Sequence, residues 1–318
     1  MRTRTTVVAV ALSIASASVH ANPADLYGLG ARVPAMGGAG TATASDTAAG
    51  YYNPARLGLL EDLRIDVGYQ YASPDLQIND RSLGVDSSRG IAAGIAVPGR
   101  IGKGVKMALA GTFFLPDRYF VRTRALAGTQ PRFQLYDNRP QRFLLSANLG
   151  FSFLDDRIAI GGGITYMSGT DGTINLLGRV GFPNAEDSDL RQAIDFDVQT
   201  VPYPQAGLMV KASDRITIGL SYRGEFELEL SQVLDVRGSV GSADQEQIVE
   251  DAFITVTTLA KDHYVPAQIT AGIAAQVTDD LLLAFDLGYH AWSGFGNPST
   301  EVEIELDVGD FNDDIDIE

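Results

Sequence analysis

Apolar residues return at every second position through much of this chain. From Ile216 to Leu230 the even positions are apolar or Gly (Ile216, Ile218, Leu220, Tyr222, Gly224, Phe226, Leu228, Leu230), and the odd ones include Arg215, Thr217, Ser221, Arg223, Glu225, Glu227 and Glu229. The same alternation runs from Ala267 to Val277 and from Leu281 to Tyr289. Successive side chains of a strand point to opposite faces of its sheet, so a period of two predicts strands with one apolar and one polar face. The pattern places strands at 63–71, 89–98, 104–115, 141–153, 157–168, 203–213, 215–230, 264–277, 281–292 and 300–308.

Three tight acidic turns separate these runs at a pitch of about sixty residues: Asp155-Asp156-Arg157, Ser213-Asp214-Arg215 and Thr278-Asp279-Asp280. With 99–103 they form one set of short connections, while 72–88, 116–140, 169–202, 231–263 and 293–299 form a set of long polar loops. Short turns on one side and long loops on the other are the pattern of an antiparallel transmembrane β-barrel, its turns periplasmic and its loops extracellular. A soluble β-sandwich or solenoid buries the same kind of face against a second sheet. The barrel is favoured because Tyr69, Tyr71, Phe113, Tyr166, Tyr203, Tyr264, Tyr289 and Trp292 fall at the long-loop ends of their strands, where an interfacial aromatic girdle belongs.

The N-terminus reads as a secretory signal over 1–21. Arg2 and Arg4 precede an apolar core from Val7 to Ala15, and Val19-His20-Ala21 offers a cleavage site, so the mature chain begins near Asn22. No later apolar run approaches the roughly 18 residues of a spanning helix, which leaves a barrel as the way to cross a membrane. The absence of Cys excludes disulfide staples and thiolate metal sites. A formal charge of −16 argues against nucleic acid, whose phosphates need a basic footprint. Much of the acid (Glu186, Asp187, Asp189, Asp244, Glu246, Glu250, Asp251) falls in the expected outer loops, where it is solvated or bridged by cations to anionic outer-leaflet lipid.

Residues 22–60 differ from the rest. Gly and Ala dominate, alternation is absent, and the segment ends in Tyr51-Tyr52-Asn53-Pro54-Ala55. Small residues allow close backbone packing, and a Pro is excluded from a central strand, so this part is expected to sit inside the barrel of residues 61–318 rather than in its wall. The stretch Asp25-Leu26-Tyr27-Gly28-Leu29-Gly30-Ala31-Arg32, followed by Met36-Gly37-Gly38-Ala39-Gly40-Thr41-Ala42, Asp46 and Asn53-Pro54-Ala55, resembles the N-terminal region of FadL/TodX-type outer-membrane transporters of long-chain fatty acids and hydrocarbons. Tyr264-Val265-Pro266-Ala267, the strand Ile269 to Val277, the Asp279-Asp280 turn and Trp292-Ser293 resemble a later hairpin of the same family. The resemblance implies a 14-stranded barrel, a lumenal hatch, and hydrophobic substrate captured outside and released sideways into the membrane. About ten strands are read here and the chain ends in the acidic run Phe311 to Glu318, so a C-terminally truncated barrel is expected.

Candidate sites follow. Gly28, Gly30, Gly37, Gly38 and Gly40 are not nucleotide loops, since none follows a strand and no Gly-Lys-Ser/Thr occurs; with Asn53, Pro54 and Ala55 they are assigned to a packed hatch. His20 leaves with the signal, and His263 and His290 are too few and too far apart for a triad or a zinc site. Asp307, Asp310, Asp313, Asp314 and Asp316 lack the register of a calcium loop and read as solvated acid. No catalytic set, metal or cofactor is assigned. Gly111, Phe113, Phe114, Leu115 and Pro116 break the alternation with two adjacent aromatics and a Pro, and the resemblance implies an inward kink of the third strand with a lateral gap there; the plainer reading puts Phe113 in the girdle and Phe114 on the hatch. The expected function is passive uptake of a hydrophobic small molecule by a monomer among outer-membrane lipid and lipopolysaccharide. Apolar residues of loops 169–202 and 231–263 would supply the capture surface. The alternative is a barrel scaffold that binds a secreted or surface protein.

Overall fold

A computed structural model describes residues 28–75, 77–82, 87–102, 104–118, 142–181, 188–241, 247–295, 301–307 and 310–311. The signal segment, most of the loop 116–140 and the acidic residues after Phe311 lie outside them. The fold is all-β and antiparallel apart from one strand pair. Two single-turn helices, α1 (Arg32–Ala35) and α2 (Ala49–Tyr52), and a 3₁₀ segment (Pro54–Leu59) precede the wall. The wall runs β1 (Arg64–Ala72), β4 (Ser88–Ile101), β5 (Val105–Pro116), β6 (Leu144–Phe153), β7 (Ile158–Gly181), β8 (Asp189–Lys211), β9 (Ile216–Arg223), β12 (Gln268–Thr278) and β13 (Leu281–His290), each hydrogen-bonded to the next; β2 (Gln77–Ile78) and β3 (Arg81–Ser82) form a small separate hairpin.

The alternation has the meaning expected of it. Ile65, Val67, Tyr69 and Tyr71 on β1, Ile216, Ile218, Leu220 and Tyr222 on β9, and Leu281, Leu283, Phe285, Leu287 and Tyr289 on β13 all face outward and are exposed, Val67 by 75% and Leu287 by 67%. The opposite face is turned to residues 28–60. Asp66 of β1 accepts the Thr47 N–H at 2.9 Å, and Asp286 of β13 accepts the Thr41 N–H at 2.8 Å. Strands at both ends of the path therefore grip the same short segment, which requires the sheet to curl around it.

Three expectations need correction. The connections 169–202 and 231–263 are mostly not loops: β7 and β8 stay paired from Ile158↔Val210 to Arg179↔Asp189, and β10 (Phe226–Gly241) pairs with β11 (Gln247–Val265). Polar residues there had read as loop, but Thr, Ile and Val in alternation sustain a ladder in water too. Second, the run 215–230 is two strands. It breaks at Gly224-Glu225, and the inward face switches from odd residues (Gly219, Ser221) to even ones (Gly224, Phe226). Third, Tyr203 and Tyr264 are 2% and 0% exposed and point inward, and Trp292 packs partly buried beside them; Tyr69, Tyr71, Tyr222 and Tyr289 are the outward rings. The lumen is apolar near its mouth, so aromatics serve both faces there.

Above the rim the sheet changes partners. β7 leaves β6 after Met167 and takes β10 in parallel register from Gly172↔Gln232 to Gly181↔Gly241; β11 in turn carries β14 (Glu301–Asp307) and β15 (Asp310–Phe311). At about 3.3 Å per residue, the 24 residues of β7 reach far beyond the 9–11 of a membrane-crossing strand.

Candidate functional site

The interior is built in rows that cross the wall. One row lacks side chains: Gly150 of β6 pairs with Gly161 of β7, which pairs with Gly207 of β8. This bare strip receives the Asn53-Pro54-Ala55 turn. A Cβ on Gly161 would enter the Pro54 carbonyl and the Ala55 nitrogen, one on Gly150 would come 2.5 Å from the Pro54 oxygen, and one on Gly207 would collide with the Asn53 side chain. Gly219 and Gly272, paired across β9 and β12, leave the same room for Thr41. Fully buried Asn53 then uses its whole amide: Nδ2 donates to the carbonyls of Thr41 (2.8 Å) and Leu208 (3.1 Å), and Oδ1 accepts from the Ala55 N–H at 3.1 Å.

The row above is polar. Asn148, Gln205, Arg223, Gln268 and His290 follow one another across β6, β8, β9, β12 and β13, with only Gly163 of β7 between the first two. Gln205 donates to the Gly50 carbonyl at 2.9 Å and to Asn148 Oδ1. The Arg223 guanidinium stacks 4.3 Å from the Tyr51 ring centre and donates to Gln268 Oε1 at 2.6 Å. A belt of hydrogen bonds thus holds α2 one level above the glycine seat.

Higher still the lumen is closed by an apolar cluster. The row Ala92, Phe114, Leu144 and Met167 of β4 to β7 meets Leu29, Ala48 and Tyr51 of the hatch from below, and Tyr203, Phe226 and Val265 complete it. Tyr203 and Phe226 pack edge-on at 5.6 Å. Beside it, between the hatch and β1, lies a cavity of about 390 Å³ lined by Gly30, Asp46, Ala48, Asp66, Gln70 and Thr112 among others. Burial and then the nearby Asp66 carboxylate push Asp46 above the ordinary carboxylate value. At the tight-turn rim, Lys106 bonds Asp156 (2.6 Å) and Glu61 (2.8 Å), and its ammonium holds the Glu61 carboxyl below its ordinary value.

The predicted site residues separate into groups. Asn53, Pro54 and Ala55 lie in the glycine seat, and Gly28, Gly30 and Gly40 touch hatch side chains. Gly37 and Gly38 do not pack: both are exposed with nothing within 4 Å of a would-be Cβ, and their φ of 69° and 88° assigns them to a left-handed turn instead. The expected gap at the third long strand is not formed. β5 pairs with β4 without interruption from Ile101↔Val105 to Gly90↔Pro116, and with β6 from Lys106 to Phe114. The adjacent aromatics simply take opposite faces: Phe114 is buried in the cluster, Gly111, Phe113 and Leu115 face outward, and Pro116 ends the strand. Among the described residues no group of three or more His, Cys, Asp or Glu is placed to hold a metal. The glycine row and the polar belt escaped sequence reading because their members lie on different strands; the inward Pro-flanked aromatic, Tyr203 between Pro202 and Pro204, was the one local signal available.

No family model and no curated protein matches the chain. Among solved structures it is similar to a FadL homologue of Pseudomonas aeruginosa (15% identity over 85% of this chain and 69% of that one, TM-score 0.43). It is also similar to the monoaromatic hydrocarbon channel CymD (14%, 89% and 73%, TM-score 0.48) and to the P. putida toluene transporter TodX (18%, 89% and 74%, TM-score 0.44). In strand arrangement the chain is similar to FadL/TodX-type outer-membrane channels.

Proposed function

We propose that this chain is an outer-membrane channel through which apolar small molecules, long-chain fatty acids or hydrocarbons, diffuse past a hatch-plugged lumen. The observation that carries the reading is the apolar cluster at the lumen mouth, to which each of the wall strands β4 to β8 contributes one inward side chain above a hatch fixed by polar bonds. A ring of apolar residues on the inside of a polar-belted cylinder is an unfavourable lining for water and ions and a favourable one for hydrocarbon. The outer face supports a membrane location, since so broad a band of exposed Ile, Leu, Val and Tyr exceeds what a soluble surface carries. Lipid and lipopolysaccharide contact that band, and the protein acts as a monomer after cleavage near Ala21.

The test is uptake by cells lacking other hydrophobic-compound channels, with the full-length protein expressed. A hydrocarbon or fatty-acid probe should enter faster than in empty-vector cells, while a hydrophilic solute of similar size should not. Equal rates with and without the protein would reject the reading. A second reading, a scaffold for a protein partner, is favoured by one observation. Ile194, Ile174, Leu234, Val256 and Ile304 form a row across β8, β7, β10, β11 and β14, with Ile194 48% and Ile304 64% exposed.

A further inference from the structure

The cavity beside the hatch is polar, and its charges do not balance. It measures about 390 Å³ and lies between hatch residues 29–31 and 46–48 and the strands β1, β4 and β5. The wall builds one side of it in register: Asp66 of β1 is opposite Gly94 of β4, which is opposite Thr112 of β5. Gly94 has no side chain, so Thr47 of the hatch enters over it; a Cβ there would collide with the Thr47 and Thr112 side chains. The next row, Gly68 and Ala92, is small as well, and a Cβ on Gly68 would meet nothing within 4 Å.

Two carboxylates and a hydroxyl border this space. Asp66 uses one oxygen, Oδ2, to accept the Thr47 N–H, and Asp46 has its Oδ1 buried without a hydrogen-bond partner. Thr112 is 3% exposed, lies among the inward residues of β5, and its Oγ1 is likewise buried without a partner. The lining residues include no Lys, Arg or His. Arg32 is the basic group whose charge reaches Asp46; it is exposed, and it favours the Asp46 carboxylate less than the Asp66 carboxylate opposes it. Water can satisfy an orphan oxygen, but it does not neutralise two like charges in a partly buried space. A cation does both.

We propose that this cavity is a calcium site, in which Asp46 of the hatch and Asp66 and Thr112 of the wall supply oxygen ligands and water completes the shell. The donor set is oxygen alone, which selects a hard cation, and two carboxylates match a divalent charge. Calcium accepts irregular shells of about six to eight oxygens with water among them, whereas magnesium demands a near-ideal octahedron. Ligands from three separate elements around a roomy space suit the looser ion. The ion joins the hatch to β1 and β5, a side of the wall that the glycine seat of β6 to β8 does not reach.

The site is independent of the channel reading and is tested without transport. Full-length protein in detergent, stripped with EGTA and dialysed, is titrated with calcium chloride at neutral pH. Calcium should slow protease cleavage within residues 28–60 about tenfold at about ten times its dissociation constant, since cleavage tracks the open hatch and the ion binds the closed one. Magnesium chloride at the same concentration should slow it less than about twofold. Thr112→Val removes an oxygen with no hydrogen bond to lose, so it should leave the calcium-free rate unaltered or slower. The same variant should weaken calcium binding at least about tenfold. Asp46→Asn should lower the calcium-free rate and abolish the calcium response. Asp214→Asn, at a side chain 98% exposed in a tight turn, should alter neither. A wild-type hatch cleaved at one rate with and without calcium overturns the site. So does a calcium response that Thr112→Val and Asp46→Asn both leave intact, which would assign the ion to acidic residues elsewhere. Equal protection by magnesium overturns calcium as the occupant.

Discussion

The two ends of β7 obey one sequence rule and live in different circumstances. Below Met167 its inward residues meet the hatch and its outward residues form part of an apolar exterior; above Gly172 it is a plank in a mixed sheet between β8 and β10 with neither face covered by the hatch. Below, the strand is fixed by contacts that reach across the lumen. Above, it is fixed by backbone ladders and cross-strand pairs, worth only about 0.2–1 kcal/mol each. The difference teaches that alternation specifies a strand and its two faces, while what those faces touch decides how much each residue matters.

The sharpest way to break the comparison is to add side chains to the seat. Gly161→Val should unseat the hatch, at a cost of about 3 kcal/mol or more, because the collision is with Pro54 backbone and no rotamer change relieves it. A lowered heat-modification temperature and new protease cleavage within residues 28–60 would report it; unchanged behaviour would show that the turn does not bear on the glycine row. Asn53→Ala should follow, costing about 3 kcal/mol in chemical unfolding, since it removes all three hydrogen bonds of a fully buried amide. Asp286→Ala removes one tether and should cost roughly 1–2 kcal/mol.

A smaller effect is expected with pH. Asp46 titrates above its ordinary 3.8 in the folded protein, so its contribution to stability is fully present below that value and is lost as pH rises through the elevated one. Hatch protection against proteolysis should therefore weaken slightly on going from acid toward neutral pH, and Asp46→Asn should flatten that slope; an unaltered slope would assign the dependence to another group. The smallest change is expected above the rim, where Ile304→Ser, at 64% exposure, should shift stability by no more than about 0.5 kcal/mol. A larger loss would mean that the upper face is covered by something that holds it.

Much of this was legible in the chain. Strand positions followed from period two, the tight turns stood where Asp155, Asp214 and Asp279 put them, and the Asn53-Pro54-Ala55 segment was recognisably not wall. What escaped had physical reasons. Alternation carries no arrow from inside to outside, so the switch of face at Gly224-Glu225 left no trace in a run whose even positions stayed apolar throughout. Phe113-Phe114 departs from the apolar and polar alternation because both faces of β5 are apolar at this level, and the two rings take opposite faces as the plainer reading has it. The glycine seat is made from residues 150, 161 and 207, and no local window contains them together.

The bond from Thr41 to Asp286 spans 245 residues, and it sets an order of events in time. The hatch is made ahead of every strand that holds it, and Asp286 on β13 is made well after β6, β7 and β8. Contacts of such separation form late and slowly, since the loop they close must first be ordered. Until β6, β7 and β8 are in place, Asn53 has neither Leu208 nor the glycine strip to bind. The hatch therefore gains its contacts in stages, the glycine strip of β6 to β8 becoming available before the Asp286 tether.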